Sequence, residues 1–204
     1  AEAIAIYTKH TAPAFRRLHK FLMERYIPNC RESIACGALP NGKAWYQHRI
    51  YSSTTTDLTP KQIHAIGLSE VKRIRAEMEK IKTQTGFKGS LAEFFKFLRT
   101  DKQFYYERGT QLLAGYRDIS KRADPELIKL FGNLPRQPYG IRPVPSYIER
   151  SVTTAYYQPG STTAARPGYF YANTYNLAVR PKWEMEALTL HEAVPGHHLQ
   201  LAIA

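Results

Sequence analysis

The distribution of proline limits where helices can form in this chain. Six of the 13 prolines lie within residues 134–167, where each one removes a backbone hydrogen-bond donor and disfavours a continuous helix. On either side, apolar residues recur at spacings of three and four, which is typical of amphipathic helices. The sequence therefore predicts a mainly α fold of the α+β class, in which long helices pack around a core. A small antiparallel β-sheet is expected before the last helix.

Three parts follow from these patterns. They are a helical part, a part with proline-rich loops and short strands, and a final helix opened by Pro181: residues 1–133, 134–180 and 181–204. In the second part, residues 151–157 and 168–175 are rich in the β-branched and aromatic side chains that strands prefer. Pro167 favours an edge position for the second strand. Because helical patterns run into both ends without a cap, we expect a single incomplete domain, a fragment of a longer protein.

Several helix boundaries are marked by local signals. Thr59 with Gln62, and Ser90 with Glu93, have the spacing of a capping box. Asp101 is expected to cap a further long helix. The large apolar residues of these helices are predicted to form the core, while residues 44–51 fit a strand and a helix equally well.

The chain is basic, with 29 lysines and arginines against 17 acidic residues and a formal net charge of +12. Such an excess is compatible with an anionic partner, so a non-catalytic helical domain that binds through basic faces is one alternative function. The basic residues are scattered and accompany no recognised nucleic-acid motif, so no nucleic-acid partner is expected. No apolar run approaches the ~18 residues that span a bilayer, and no membrane span is predicted.

The densest cluster of candidate functional residues lies near the end of the chain. His191 and Glu192 are followed by a Pro-Gly pair and then by His197 and His198. In the familiar helical zinc motif, two histidines four residues apart bind the metal and the glutamate acts as base. On a straight helix, His191 would lie about 9 Å along the axis from His197 and about 10.5 Å from His198. Ligands on one helix start about 5–6 Å apart, so a regular helix fails for either partner.

A local distortion at Val194, Pro195 and Gly196 would remove this mismatch. Proline has no amide hydrogen to leave unpaired, and glycine permits unusual dihedral angles. If the segment bulges, about two residues of axial rise are absorbed. His197 is then favoured as the metal ligand, while His198 turns towards the substrate or a hydrogen-bond partner behind the metal. The spacing alone also fits a distorted helix with hydrogen-bonded histidines and no metal.

Residues 191–200 resemble the signature of the bacterial DUF885 family, whose members are placed among gluzincin-like zinc metallopeptidases. Other segments look like further landmarks of the family and extend the resemblance over nearly the whole chain: residues 39–42, 55–60, 66–68 and 168–171. The resemblance implies a predominantly helical fold, a zinc ion and hydrolysis of peptide-like bonds. It implies a bacterial protein of the cell envelope, the periplasm or the cytoplasm.

By this resemblance, His191 and His197 are zinc ligands and Glu192 is the general base. His198 is a further ligand or a residue that contacts the ligands. Relatives of this kind take their third ligand from a glutamate on a later helix, which is expected beyond residue 204. Glu192 would accept a proton from the attacking water and pass it to the leaving amine of a peptide substrate. The chain alone is therefore expected to bind zinc weakly and to be inactive.

The resemblance also implies a way to bind substrate. In zinc peptidases of this design, an edge strand before the metal helix pairs with the extended substrate through main-chain groups. Tyr169, Tyr171 and Asn173, on the second predicted strand, are the candidate substrate-binding residues. The alternative is an ordinary sheet edge whose aromatic side chains pack on the core.

Overall fold

A computed structural model describes residues 2–204 and confirms a mainly helical fold. The chain forms two compact units, Ala1–Glu77 and Met78–Ala204. The α-helices within residues 2–204 are α1 (Glu2–Ile6), α2 (Ala12–Phe21), α3 (Gly42–Thr54), α4 (Pro60–Gln84), α5 (Leu91–Thr100), α6 (Gly109–Ala123), α7 (Met185–Glu192) and α8 (His197–Ile203). Residues of α4 belong to both units. No helix within residues 2–204 combines the length and apolar character that crossing a bilayer needs.

The first unit begins with one continuous helical stretch that ends at Asn29. Wider π-type turns, Tyr7–Thr11 and Leu22–Tyr26, stand before and after α2. Pro13, near the start of α2, lacks the amide hydrogen that a regular helix would use, which accounts for the wider turn before it. The helical path absorbs this proline without a break.

The next two helices follow their local signals. The segment at residues 44–51 is helical and lies inside α3. The predicted capping box precedes α4: the amide of Thr59 donates to Oε1 of Gln62 over 2.9 Å, and the amide of Gln62 donates to Oγ1 of Thr59 over 3.3 Å. α4 then continues through Gly67 without interruption.

The apolar stripes of the first unit are not buried, contrary to the core prediction for these helices. Within residues 2–77 only Gly42 is buried, and Ile4, Phe15 and Val71 are 72%, 66% and 64% exposed. Periodicity identifies an apolar face but does not supply the partner that covers it. The helices of this unit pack against one another too sparsely to bury their own stripes.

In the second unit, one predicted cap opens the expected helix and another opens only a short turn. The predicted capping box of Ser90 and Glu93 opens α5, with both reciprocal hydrogen bonds present. Asp101 caps a short 3-10 turn instead of the long helix predicted there. The chain is extended at Tyr105, so the long helix α6 begins only after it.

The sheet has three strands in the order β1-β3-β2, and they are Tyr139–Pro143 (β1), Ala155–Gln158 (β2) and Gly168–Ala172 (β3). β2 pairs with β3 antiparallel, whereas β1 pairs with it in parallel. The sheet is therefore mixed, not antiparallel as predicted. The sequence does not predict β1 because it lies in the proline-rich segment. Pro143 is tolerated there since it ends an edge strand.

One face of the sheet forms the core together with α6 and α7. Phe170 of β3 is fully buried, and its ring meets that of Tyr116 in α6 edge to face, with centroids 5.0 Å apart. The other buried members of this cluster are Leu112, Leu113, Ile119, Ile141, Ala155, Ala172, Met185 and Ala193. Burial of Met185 and Ala193 fixes the two ends of α7 against the core, and the candidate site lies at its C-terminal end.

Candidate functional site

The predicted last helix is in fact two helices, α7 and α8, separated by residues 193–196. The Val194–Pro195 peptide bond is cis, and the backbone angles at both ends of the break are not helical. The amide of His198 donates to the carbonyl of Ala193 over 3.0 Å, which ties the start of α8 back to the end of α7. The distortion predicted at the Pro-Gly pair is therefore present as a complete break in the helix.

Gly196 lies against the main chain of α7. A Cβ atom at this position would lie 1.8 Å from the carbonyl oxygen of His191 and 2.5 Å from that of Leu190. Both contacts are with main-chain atoms, which cannot rotate away as a flexible side chain can. Glycine therefore permits a return of the chain that any larger residue would block.

This return brings the imidazole rings of His191 and His197 together. Their centroids lie 4.7 Å apart and their planes are inclined by 81°. Nδ1 of His197 also lies 3.1 Å from Oε1 of Gln200, one helical turn further on. Because an amide oxygen only accepts hydrogen bonds, we assign the imidazole proton to Nδ1, which leaves a free lone pair on Nε2.

Glu192 is buried, whereas its neighbour His191 is exposed. Glu192 is only 7% exposed, and its Oε2 atom has no hydrogen-bond partner within residues 2–204. A buried carboxylate oxygen without a partner is unfavourable. Glu192 directly follows His191 in the chain, and its unpartnered oxygen indicates a role that the fold itself does not require.

His198 points into the protein and packs against the sheet. Its Nδ1 atom lies 2.7 Å from the hydroxyl of Tyr157, and its ring centroid lies 4.6 Å from that of Tyr139. Burial lowers the pKa of His198, against smaller raising effects from the Gln137 backbone carbonyl and the Asp124 carboxylate. The neutral imidazole is thus favoured at this position.

The two tyrosines beside His198 extend the contact into a buried network. The hydroxyl of Tyr139 donates to Oδ1 of Asp124 over 3.0 Å. Burial is the main cause that raises the pKa of Tyr139 and of Tyr157, and the Asp124 carboxylate adds to it at Tyr139. Both hydroxyls therefore stay protonated at neutral pH, and the network joins α8 to β1 and β2.

An open cavity of about 440 Å³ lies beside the histidine pair. His191 and His197 line it together with Gln200, Phe131 and Leu190. Two imidazoles are thus within reach of a ligand that enters from solvent. Within residues 2–204, no third His, Cys, Asp or Glu side chain joins them in a group that could hold a metal ion.

β3, next to the candidate substrate-binding residues, is the central strand of the sheet. Both of its edges are already paired, with β1 and with β2. The prediction that it is an edge strand able to pair with an extended substrate is therefore wrong. Pro167 misleads because it precedes the strand, so that its missing amide hydrogen lies outside the ladder.

Tyr169 and Tyr171 lie on the face of the sheet opposite the buried Phe170. Tyr171 stacks on Tyr156 with ring centroids 4.9 Å apart, and the guanidinium of Arg142 lies 3.8 Å from the centre of the Tyr169 ring. Both tyrosines are half-buried. They do not pack on the core, and any contact with a ligand would use this second face of the sheet.

Asn173 is buried directly after β3 and its side chain is fully engaged. Its Oδ1 atom accepts a hydrogen bond from the amide of Tyr175 over 2.9 Å. Its Nδ2 atom donates to three main-chain carbonyls, those of Glu149 over 2.7 Å, Val152 over 3.3 Å and Thr153 over 3.2 Å. Asn173 therefore holds the preceding loop on the sheet, and the hydrogen-bond donors of its amide are used within the protein.

The family described as "Bacterial protein of unknown function (DUF885)" matches residues 1–204, the whole chain. The chain belongs to the DUF885 family. The break between α7 and α8 and the paired histidines lie inside the matched range. No curated protein matches the chain.

A solved structure similar to this DUF885 chain is "the putative lipoprotein from Colwellia psychrerythraea". The two are 27% identical with a TM-score of 0.87, and the match covers 98% of the present chain. It covers 35% of the Colwellia chain, so the present chain spans 35% of the length of that structure. The fold described above is thus also found in that protein.

Two residues of the DUF885 site do not stand out in the sequence. Gln200 follows His197 by three positions, and this helical spacing is the signal that could have identified it. Tyr157 meets His198 across 41 positions of the chain, and no local pattern reveals a contact of that range.

Proposed function

We propose that this protein is a zinc-dependent hydrolase of peptide-like bonds, in which His191 and His197 bind the metal and Glu192 is the general base. The observation that carries the proposal is the convergence of two imidazoles at one open cavity. Glu192, which follows His191 directly in the chain, adds a buried carboxylate with an unpartnered oxygen. The family is one of unknown function, so the proposal rests on the chemistry of the site.

The two histidines have the properties expected of zinc ligands. Imidazole nitrogen is a preferred ligand of zinc. Gln200 accepts the Nδ1 proton of His197, which is the kind of contact that orients metal-binding histidines and fixes their tautomer. Both rings line one open cavity, where an ion from solvent can reach them.

A zinc ion at this site would supply Lewis acidity, which lowers the pKa of bound water and polarises a substrate carbonyl. Glu192 would take the proton of the attacking water at its free Oε2 atom and deliver it to the leaving amine. No other group within residues 2–204 forms a hydrogen bond with that oxygen, so it is free to accept a proton. The contact of His198 with Tyr157 would hold α8, and with it His197, in place.

The third metal ligand is the part of the site that residues 2–204 do not supply. Catalytic zinc sites have three protein ligands and one position for water. The imidazoles of His191 and His197 lie close together, which supports a shared metal. We propose that the third ligand comes from another part of the protein, as the sequence resemblance implies. The full-length protein should therefore bind zinc more tightly than residues 1–204 alone, which metal analysis after dialysis would measure.

Replacing Glu192 by glutamine in the full-length protein tests the proposed mechanism. An amide cannot accept the proton, so hydrolysis of a peptide library should fall by about 10²–10⁴-fold while the zinc content stays the same. Glu186→Gln is the matched control, because Glu186 is on the same helix but exposed.

Two results would contradict this function. Full activity in Glu192→Gln would show that Glu192 is not the general base. A full-length protein that neither binds zinc nor cleaves any peptide would favour the alternative of a non-catalytic binding domain.

A further inference from the structure

A second cavity, of about 480 Å³, lies where β1 and β3 begin, and its lining is cationic. Arg136 and Arg166 both line it, together with Gln137, Ser161 and Thr162. No acidic residue lines this arginine cavity, and neither guanidinium forms an ion pair within residues 2–204.

The loop that carries Arg166 is held in a fixed conformation. Ser161 and Arg166 exchange two main-chain hydrogen bonds, of 2.8 and 2.9 Å. The side-chain amide of Gln137 donates to the carbonyl of Arg166 over 3.1 Å, which ties the loop to the chain before β1. The main chain of the cavity is therefore formed before a ligand arrives, and binding would order mainly the exposed side chains of Arg136 and Arg166.

The lining of the arginine cavity has the chemistry of an anion site. Two guanidinium groups at one cavity repel each other, and an anion between them relieves that repulsion. Guanidinium binds a carboxylate through two parallel N–H···O hydrogen bonds, and the hydroxyl of Thr162 is a further donor. A planar, singly charged carboxylate fits this set of donors.

The wall of the arginine cavity is linked to the candidate site through the buried imidazole of His198. Gln137 lines the cavity, and its backbone carbonyl lies beside the ring of His198. The next wall residue, Pro138, leads directly into Tyr139, whose ring packs on the same imidazole. His198 thus contacts the wall of the arginine cavity and is adjacent in sequence to the proposed metal ligand His197.

We propose that the arginine cavity binds the C-terminal carboxylate of a peptide substrate. This inference rests on the proposed function and names its substrate class, which is peptides with a free C-terminus. Cleavage would then occur close to the C-terminal end, at a distance set by the separation of the arginine cavity from the histidine pair.

The test compares one peptide in two forms. N-acetyl-trialanine, as the free acid and as the C-terminal amide, is titrated into zinc-loaded full-length Glu192→Gln protein by calorimetry. We expect the acid to bind at least about 10-fold more tightly, since an amide loses the charge that strengthens hydrogen bonds to arginine. Arg136→Ala/Arg166→Ala should bring the acid down to the level of the amide. Arg16→Ala/Arg17→Ala, an exposed pair on α2, removes the same charge and should keep the preference.

Several outcomes would overturn the inference. They are equal binding of acid and amide, no binding of either, an unchanged preference in Arg136→Ala/Arg166→Ala, or binding of inorganic phosphate at the arginines without any preference for the peptide acid. The comparison on the unaltered arginines needs no variant of the cavity, so a folding defect cannot obscure it.

Because binding is measured without turnover, the result is separate from that of the proposed function. Acid preference with Glu192-independent hydrolysis refutes the mechanism alone, and Glu192-dependent hydrolysis with no acid preference refutes the arginine cavity alone.

Discussion

The rings of His191 and His197 lie edge to face with centroids 4.7 Å apart, although a regular helix would separate the two residues by about 9 Å along its axis. The missing distance is taken up by the break at residues 193–196. Two helices that meet at this break can do what one continuous helix with the same spacing cannot. The metal-site hypothesis therefore depends on the backbone between the histidines as much as on the histidines themselves.

Gln200 is expected to support the proposed metal site without binding the metal. Its Oε1 atom lies 3.1 Å from Nδ1 of His197, and the loss of such a contact typically weakens metal affinity by 10–100-fold. Gln200→Ala in the full-length protein should lower zinc affinity by about that factor, as measured by competition with a chelator. Gln200→Glu keeps an acceptor oxygen and should retain most of the affinity. Equal affinity in wild type and Gln200→Ala would show that this contact does not orient the ring.

Gly196→Ala should damage both stability and metal binding. The added methyl group would collide with the His191 carbonyl oxygen, so the main chain must move, and we expect a loss of at least about 3 kcal/mol in unfolding free energy. Zinc binding should fall in parallel, since the same contact brings His197 to His191. Urea denaturation and chelator competition measure the two effects.

Gly67→Ala is the control for this glycine. A Cβ there meets nothing within 4 Å, and the residue lies inside α4. Alanine in a helix interior should stabilise the protein by about 0.5–1 kcal/mol. If Gly196→Ala behaved like this control, the close return of the chain would not be required.

Tyr157→Phe should destabilise the protein by about 1–3 kcal/mol, because it leaves the buried Nδ1 atom of His198 without its partner. Tyr156→Phe is the matched control on the same strand, since the Tyr156 side chain packs by ring stacking on Tyr171. The difference between the two variants in chemical denaturation isolates the buried hydrogen bond. Equal stabilities would mean that the contact with His198 adds nothing to the fold.

Tyr116 should make the protein lose stability at alkaline pH. Burial raises the pKa of Tyr116 to about 12, with a smaller raising effect of Glu184 and an opposing effect of Arg180. In the unfolded chain the phenol loses its proton near pH 10, whereas in the folded protein it keeps the proton until about pH 12. The contribution of Tyr116 to the unfolding free energy is therefore complete below pH 10. Between pH 10 and about pH 12 it falls by about 1.4 kcal/mol per pH unit.

Tyr116→Phe isolates this effect. The variant has no proton to lose at this position, so its unfolding free energy should fall less steeply than that of wild type between about pH 10 and about pH 12. Other tyrosines titrate in both proteins and cancel in the difference. Parallel curves for the two proteins would show that the buried phenol does not titrate as described.

Local signals in the sequence identified the features that local interactions decide. Both capping boxes, at Thr59 and at Ser90, open helices as predicted, because each needs only residues within one turn. The distortion around Gly196 was also predictable, since proline and glycine act on the backbone at their own positions.

Features that depend on distant partners were not predictable in the same way. β1 acquires its strand conformation by pairing with β3, so that Tyr139 lies opposite Gly168, and nothing in the proline-rich segment indicates this partner. Asn173 resembles a surface polar residue in the sequence, but three carbonyls from a preceding loop surround its amide. The arginine cavity likewise needs two loops to meet before its charge becomes concentrated.

The break between α7 and α8 also decides how the histidine pair could be transferred to another protein. Its geometry is set by the approach of Gly196 to the main chain of His191, not by the choice of side-chain rotamers. Two histidines grafted onto an uninterrupted helix at the same spacing would reproduce the residues of the motif but not the approach of the two imidazoles. A host scaffold would need to accept residues 189–200 as one block and offer an internal pocket for the imidazole of His198.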